Sequence, residues 1–436
     1  MRALAVIALI AGVLVRLAVL PIGVPAVDSS WRGWSYHAAT QGPWNLYGPK
    51  GHTVGFAGVE SPVVYPPLAL DEFALLGRAH LALNRGRFED DVALSRTIKG
   101  MIGALDAVLA ALLFFAVRRA GGTVRAWWAA LAYWVNPAIL MATTLGYVDV
   151  LVAIPAAGAV IAASVGRPWL TGALFSAAVL TKPQGLFVGP AAALALWNAA
   201  GDGAGVTRLR AAVIAAALTA ALITAPVVAV GKTYYMLRSI AVLAGHNMLS
   251  ALAFNLWWLV SAGFTAAAAH AAGTPAPLNL SPDIITHADA MARGFPNPRI
   301  VALILLAVAV LWALKTAARA RDLGLQAALG AFIVVAYFTL SVQVHENHFF
   351  LALPLLAIAA ALRPAFAPVL AALSVSFALN LYLPFGVHGH GPPAFVSSLF
   401  VLDPGIVVAA MTCALFAWFA AVLGRECSAM APGAAV

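Results

Sequence analysis

Residues 3 to 20 read Ala3-Leu-Ala-Val-Ile-Ala-Leu-Ile-Ala-Gly-Val-Leu-Val-Arg16-Leu-Ala-Val-Leu20, and beyond them comes a polar, aromatic stretch, Asp28-Ser-Ser-Trp31-Arg32-Gly-Trp34-Ser-Tyr36. At ~1.5 Å per helical residue, an apolar run of that length is what crossing ~30 Å of hydrocarbon requires. The polar stretch marks where the chain leaves the bilayer. The same alternation recurs to the end of the sequence, with apolar runs near 98 to 117, 126 to 144, 148 to 166, 168 to 181, 184 to 199, 210 to 230, 299 to 317, 324 to 341, 349 to 362, 365 to 382 and 400 to 423.

Composition agrees with that pattern. With 63% hydrophobic residues, 9% charged and a mean hydropathy of +0.93, the chain cannot be housed in one water-soluble core. The expected fold is all-α and polytopic, with about twelve transmembrane helices and interfacial helices in the extracytoplasmic loops. Three regions are expected: a catalytic membrane module over 1 to 230 containing a long first outer loop (21 to 97), an outer loop over 231 to 298 with an interfacial or re-entrant helix, and a C-terminal transmembrane module over 299 to 436.

Basic residues set the expected orientation, because short cytoplasmic loops retain Lys and Arg. With the N-terminus inside, Arg2, Arg118, Arg119, Arg125, Arg167, Arg208, Arg210, Lys315, Arg319, Arg321, Arg363 and Arg425 are cytoplasmic, opposed only by Asp202, Asp322 and Glu426. The whole net charge of +9 then lies on that face, so the basic pI reports topology and argues against a nucleic-acid partner. Segment 251 to 268 is apolar enough to span. Crossing there would place Lys315, Arg319 and Arg321 outside, so it is expected to lie on the outer face with Asn255, Trp257 and Trp258 at headgroup depth. The first run has the basic start of a signal peptide, but no small-residue cleavage site follows and Arg16 interrupts it, so it is expected to be a retained helix. Cys413 in a span and Cys427 in the tail are not expected to pair.

The long polar segments, 21 to 97, 231 to 298, 342 to 348 and 383 to 399, all fall outside in this scheme, which places function on the extracytoplasmic face. Within 66 to 95, Leu68, Leu70, Phe73, Leu75 and Leu76 stand against Asp71, Glu72, Arg78, Arg85 and Arg87, a pattern suited to helices lying along the interface. Ionisable residues at membrane depth are expensive. Arg16, Asp106, Asp149, Lys182 and the run His345-Glu346-Asn347-His348 come from five helices at the same outer level, where they are expected to meet in one cavity.

Taken in order, these motifs resemble the GT-C glycosyltransferases. The residues concerned are the acidic Asp28 after the first helix, the Trp/Tyr-rich segment, Tyr65-Pro66-Pro67-Leu68, Asn136-Pro137, Gly146-x-x-Asp149, Lys182-Pro183-Gln184 and Val344-His345-Glu346. The resemblance covers about residues 16 to 350 and is nearest to dolichyl-phosphate-glucose glucosyltransferases and bacterial polyprenyl-phosphate-mannose mannosyltransferases. It implies inverting transfer of a hexose, mannose or glucose, from a polyprenyl-phosphate donor to an acceptor hydroxyl on a glycolipid, glycan or other molecule, at a plasma-membrane site facing outward. No cofactor is implied and no metal.

Asp28 matches the family's catalytic acidic position and is the expected general base, although Asp-Ser-Ser is also a good helix start. Donor phosphate contacts are expected from His345, Lys182 and Arg238; as alternatives, His345 is a structural histidine, Lys182 snorkels, and Arg238 belongs to an interfacial belt. Asp149 and Glu346, with Trp31, Tyr36 and Tyr65, are expected at the sugar or acceptor, while Asp149 has the alternatives of orienting Lys182 or capping a helix. Trp34, Trp44 and Tyr47 are further stacking candidates. Val64 stands where the eukaryotic glucosyltransferases often carry an acidic residue before Tyr-Pro-Pro, which leaves the donor sugar open. His345, Glu346 and His348, with His388 and His390, supply metal-ligand types, but His-Glu-x-His lacks the i, i+4 spacing that puts both imidazoles on one helix face. The competing class is a lipid-linked sugar transporter or flippase; against it, no internal repeat is seen and the polar loops lie on one face only.

Overall fold

A computed structural model describes residues 2–22, 25–48, 53–56, 59–88, 91–199, 203–273, 284–388, 391 and 403–429. The described helices are α1 (Arg2–Val19), α2 (Pro25–Gln41), α3 (Pro67–Leu83), α4 (Asp91–Trp134), α5 (Pro137–Thr144), α6 (Val150–Ser164), α7 (Pro168–Thr181), α8 (Gly189–Ala199), α9 (Gly205–Ala229), α10 (Thr233–Ala244), α11 (Leu256–Ala271), α12 (His287–Ala292), α13 (Pro298–Thr316), α14 (Leu323–Leu340), α15 (Ala352–Leu362), α16 (Ala367–Phe385) and α17 (Pro404–Ser428). Each of the twelve apolar runs is helical over most of its length.

Among the described residues, six helices are long and apolar enough to cross a membrane, within Val92–Trp134, Gly205–Ala229, Pro298–Thr316, Leu323–Leu340, Pro364–Phe385 and Pro404–Ser428. The chain is an integral membrane protein. Its packing is the reverse of a soluble bundle: α14 is almost wholly buried, whereas α9 and α13 turn Leu218, Leu222, Leu303 and Leu311 outward. Such an apolar exterior is stable against lipid and would aggregate in water.

Helix breaks follow local chemistry. In α4 the break expected near Arg118 and Arg119 falls at Gly122, whose φ of 84° is open to glycine and costly for other residues. Asn136-Pro137 starts α5: proline supplies no N–H at the first position and the Asn136 side chain accepts from the Ala138 amide. The amphipathic α3 packs on α2, with Leu70, Phe73, Leu76 and Gly77 buried. A Cβ at Gly77 would sit 2.1 Å from the Ser35 carbonyl oxygen, so the two helices approach through that glycine.

Among the described residues, two short strand pairs supplement the helices. β1 (Thr53–Phe56) and β2 (Val59–Pro62) form a hairpin, and β3 (Ser250–Ala251) runs parallel to β4 (Val344–His345) with Ser250 opposite Val344. The second pair ties the 245 to 255 segment to the loop after α14. Segment 251 to 268 becomes α11, and one expectation for it is corrected: Asn255, Trp257 and Trp258 are buried in protein. The Asn255 carboxamide caps α11 while its Nδ2 donates to the Phe338 carbonyl at 2.9 Å, and Trp257 Nε1 donates to the Leu340 carbonyl at 2.8 Å. These side chains lock α11 against the end of α14, which a headgroup anchor would not do.

Candidate functional site

Six segments meet at one end of the bundle: the first part of α2, the residues before α3, the turn before α6, the junction after α7, the stretch 246 to 252 after α10 and the loop after α14. They enclose a cavity of about 500 Å³ lined by Trp31, Trp34, Tyr65, Tyr147, Lys182, Gln184, His246 and residues 345 to 348, among others.

Lys182 in its wall belongs to an ion pair. Lys182 Nζ lies 2.6 Å from Asp149 Oδ1, both residues being nearly inaccessible, and Asn347 Nδ2 donates to the other carboxylate oxygen at 2.7 Å. Although Asp149 stands at the N-cap of α6, its side chain makes no capping bond. Of the roles open to it in sequence, orienting Lys182 is the one the geometry supports. Burial acts to lower the Lys182 pKa, but Asp149 and Tyr65 outweigh it and hold the amine protonated. The ammonium is 5.8 Å from the Tyr65 ring, so it is enclosed and does not snorkel.

The loop after α14 supplies the opposite wall. Glu346 accepts a hydrogen bond from the Tyr147 hydroxyl, and its backbone carbonyl accepts from Asn380 Nδ2 at 2.8 Å. Burial raises the Glu346 pKa, and the Tyr147 bond partly offsets that. His348 has both ring nitrogens engaged, Nε2 with Gln184 Nε2 at 2.6 Å and Nδ1 with the Tyr337 hydroxyl at 3.1 Å. That pairing fits an ordered wall better than a metal ligand. His345 is half-buried, with Nδ1 3.8 Å from Glu346, and burial, Lys182 and His246 push its pKa down to about 4. At neutral pH it is an uncharged imidazole, able to donate one N–H.

Against the wall of histidines lies a second groove, about 480 Å³, lined by Leu186, Phe187, Ile240, Leu303, Leu306, Arg299 and Tyr337. Gln184, His246, His345 and His348 border both spaces. The chamber that holds the Lys182 ammonium thus shares a wall with a groove carrying the exposed apolar side chains Leu186 and Leu303.

The structure brings together Lys182, Asp149, His345, Glu346, Trp31 and Tyr65, and leaves out others. Tyr36 packs edge-on against Phe88 at 4.9 Å and does not line the cavity, because the turn of α2 carrying it faces the loop before α4. Arg238 is exposed on α10, outside the cavity. Tyr47 is buried in the core and Trp44 donates to Asp71, so of the other stacking candidates only Trp34 reaches the site. Asp28 lies in the first turn of α2, three residues before the cavity-lining Trp31; its side chain falls outside the described residues. His388 is exposed and His390 lies outside the described residues.

The single cluster expected of five helices is in fact two. Arg16 donates from Nε and Nη2 to Asp106 Oδ2 at 3.2 and 2.9 Å, Thr143 donates to the same oxygen, and Tyr133 donates to Oδ1 at 2.6 Å. With the Trp134 ring 3.7 Å from the guanidinium, this pair is closed on itself and does not line the cavity. Sequence reading did not single out Tyr147, His246, Asn380 or Arg299. Asn380 had a legible signal, a polar side chain within an apolar run.

The fold is the GT-C-like, polytopic helical one expected from the sequence. Among solved structures, the chain is similar to ArnT from Cupriavidus metallidurans bound to undecaprenyl phosphate, with a TM-score of 0.52 and 16% identity over 98% of this chain and 78% of that one. It is similar to the apo state of the same protein with a TM-score of 0.50 and 15% identity, covering 98% and 77%. No protein-family model matches the chain, and no curated protein matches it.

Proposed function

We propose that the chain is an inverting glycosyltransferase that moves a hexose, mannose or glucose, from a polyprenyl-phosphate donor to an acceptor hydroxyl on the extracytoplasmic face of the plasma membrane, both termini being cytoplasmic. The observation that carries this reading is the junction of the Lys182–Asp149 chamber with an apolar groove bordered by Leu186, Ile240, Leu303 and Leu306. A sugar phosphate on an isoprenoid chain needs that combination: a polar pocket for the sugar, a cation at the phosphate and an apolar surface for the first isoprene units. The undecaprenyl phosphate held by the similar ArnT structure has the same chemistry.

In this mechanism the Asp28 carboxylate takes the proton of the acceptor hydroxyl as its oxygen attacks the anomeric carbon. The bond from that carbon to the phosphate oxygen breaks, and its electron pair leaves with polyprenyl phosphate. Lys182 meets the growing phosphate charge, held in position by Asp149 and Asn347, while His345 donates an N–H. Trp31 and Tyr65 flank the sugar, and Glu346, fixed by Tyr147, accepts from its hydroxyls. A buried cation paired with a carboxylate suits this role, since it attracts the leaving phosphate without tightly trapping the product. Arg238 has no part in it, and neither a cofactor nor a metal is needed.

The test is reconstitution in vesicles with radiolabelled polyprenyl-phosphate mannose or glucose and extracted envelope glycolipids. Release of polyprenyl phosphate with label passing to the acceptor is expected. Equal transfer from a soluble nucleotide sugar would defeat the proposal.

A further inference from the structure

At the other ends of α6 and α7, about one helix length from Asp149 and Lys182, lies a third space that the proposed reaction does not use. It is a groove of roughly 690 Å³ between the first half of α4, the end of α6 and the start of α7, lined by Leu112, Ile161, Val165, Trp169, Leu170 and Leu174 along its length. Two arginines stand in its lining, Arg119 near the break in α4 and Arg167 in the α6–α7 turn. Both are exposed, and among the described residues neither guanidinium makes a hydrogen bond, ion pair or ring contact. Arg363 on the same bundle end differs: it is paired with Asp322 and Glu426. Arg208 adds a third positive charge nearby, since its Nη1 lies 3.3 Å from where a Cβ of Gly166 would be.

An apolar cleft facing lipid, with two unpaired guanidiniums in its wall and an exposed Trp169 beside them, is complementary to one kind of molecule. We infer that this groove is a binding site for an anionic glycerophospholipid, its phosphate held between Arg119 and Arg167 and one acyl chain lying along Ile161, Leu170 and Leu174. Guanidinium groups bind phosphate oxygens through paired N–H donors, and the contact strengthens where hydrocarbon lowers the local dielectric. Tryptophan beside them is placed as interfacial aromatics are, with its ring at headgroup level. Basic pockets between spans hold anionic headgroups in this way, where a zwitterionic lipid gains little because its own cation opposes the arginines. Bound there, the lipid would bridge α4 to the α6–α7 pair, the two helices whose opposite ends carry Asp149 and Lys182.

The experiment is native mass spectrometry and thermal melting of the purified full chain in nonionic detergent, titrated with phosphatidylglycerol, phosphatidylcholine or inorganic phosphate. The wild type should retain one phosphatidylglycerol per chain and melt at a higher temperature with that lipid than with phosphatidylcholine. Arg119→Gln/Arg167→Gln should bind it about tenfold or more weakly and lose most of the lipid-dependent melting shift. Arg321→Gln, which removes an exposed charge from the loop between α13 and α14, should keep both. Equal retention by the double variant and the wild type would overturn the inference, as would equal binding of phosphatidylcholine, stabilisation by inorganic phosphate alone, or the same loss in Arg321→Gln. None of these readouts depends on transferase activity, so the groove and the proposed reaction stand or fall separately.

Discussion

Replacing Lys182 by Met tests the centre of the site. Methionine keeps the length of the side chain and removes the ammonium, leaving the Asp149 carboxylate, 1% exposed, with a single donor from Asn347. Removing one partner of a buried pair costs about 3 to 5 kcal/mol, because the other charge stays desolvated. Unfolding entropy grows with chain length, so each kcal/mol moves the melting temperature of a 436-residue chain by roughly 1 to 2 °C, and the expected fall is ~3 to 10 °C. Asp149→Asn should produce a similar loss by stranding Lys182. The double variant Lys182→Met/Asp149→Asn removes both charges and should recover most of the lost stability, a coupling that a double-mutant cycle measures directly. Activity should separate from stability: release of polyprenyl phosphate is expected to stay abolished in the double variant, since no cation faces the leaving group. Melting curves in nanodiscs and single-turnover release assays report the two quantities. An unchanged melting temperature in Lys182→Met would refute the buried pair, and wild-type turnover in the double variant would reduce the pair to a structural strut.

Asp28→Asn should leave melting unchanged and lower turnover by ~100-fold or more, the loss expected on removing a general base; turnover near that of the wild type would end that assignment. His345→Ala should weaken donor binding by roughly tenfold with little effect on the bound-state rate, measured by donor titration. The depressed pKa values of His345 and His348 give a sign to the pH dependence. Both imidazoles are held neutral in the folded chain, so the unfolded chain binds more protons, and stability should fall as pH drops from about 6.5 toward 4. Melting temperatures across that window should decline less steeply in His345→Gln/His348→Gln, and an identical slope would show that these histidines are not the source. For topology, in a chain whose Cys413 and Cys427 are replaced by serine, Ala288→Cys should react with a membrane-impermeant thiol reagent in spheroplasts and Ala318→Cys should not. The reverse pattern would invert the orientation.

What the sequence determined alone is the set of helical segments. Each apolar run had to become helix, because lipid offers backbone amides no partner and only intrasegment hydrogen bonds satisfy them. The break near Arg118 and Arg119 was legible from its charges, whereas the run 126 to 144 reads as one span and the structure breaks it at Asn136-Pro137, where proline opens a new helix. That Asp149, Lys182 and the His345 to His348 run would lie together was visible too, since charge at membrane depth demands a partner. Which charges meet was not visible. Arg16 and Asp106 carried the same signal as Lys182 and Asp149, yet they close on each other with Tyr133 and Thr143, while Lys182 lines a cavity with Asp149 buried behind it. Tyr36 and Trp31 looked alike on one helix, and its rotation sends Trp31 to Tyr147 and Tyr36 to Phe88. Hydropathy constrains each helix along the membrane normal and says nothing of its azimuth or its neighbours. Those were set only by packing across the bundle, through the approach of α2 to α3 at Gly77 and the β3–β4 pairing that brings His345 to the chamber.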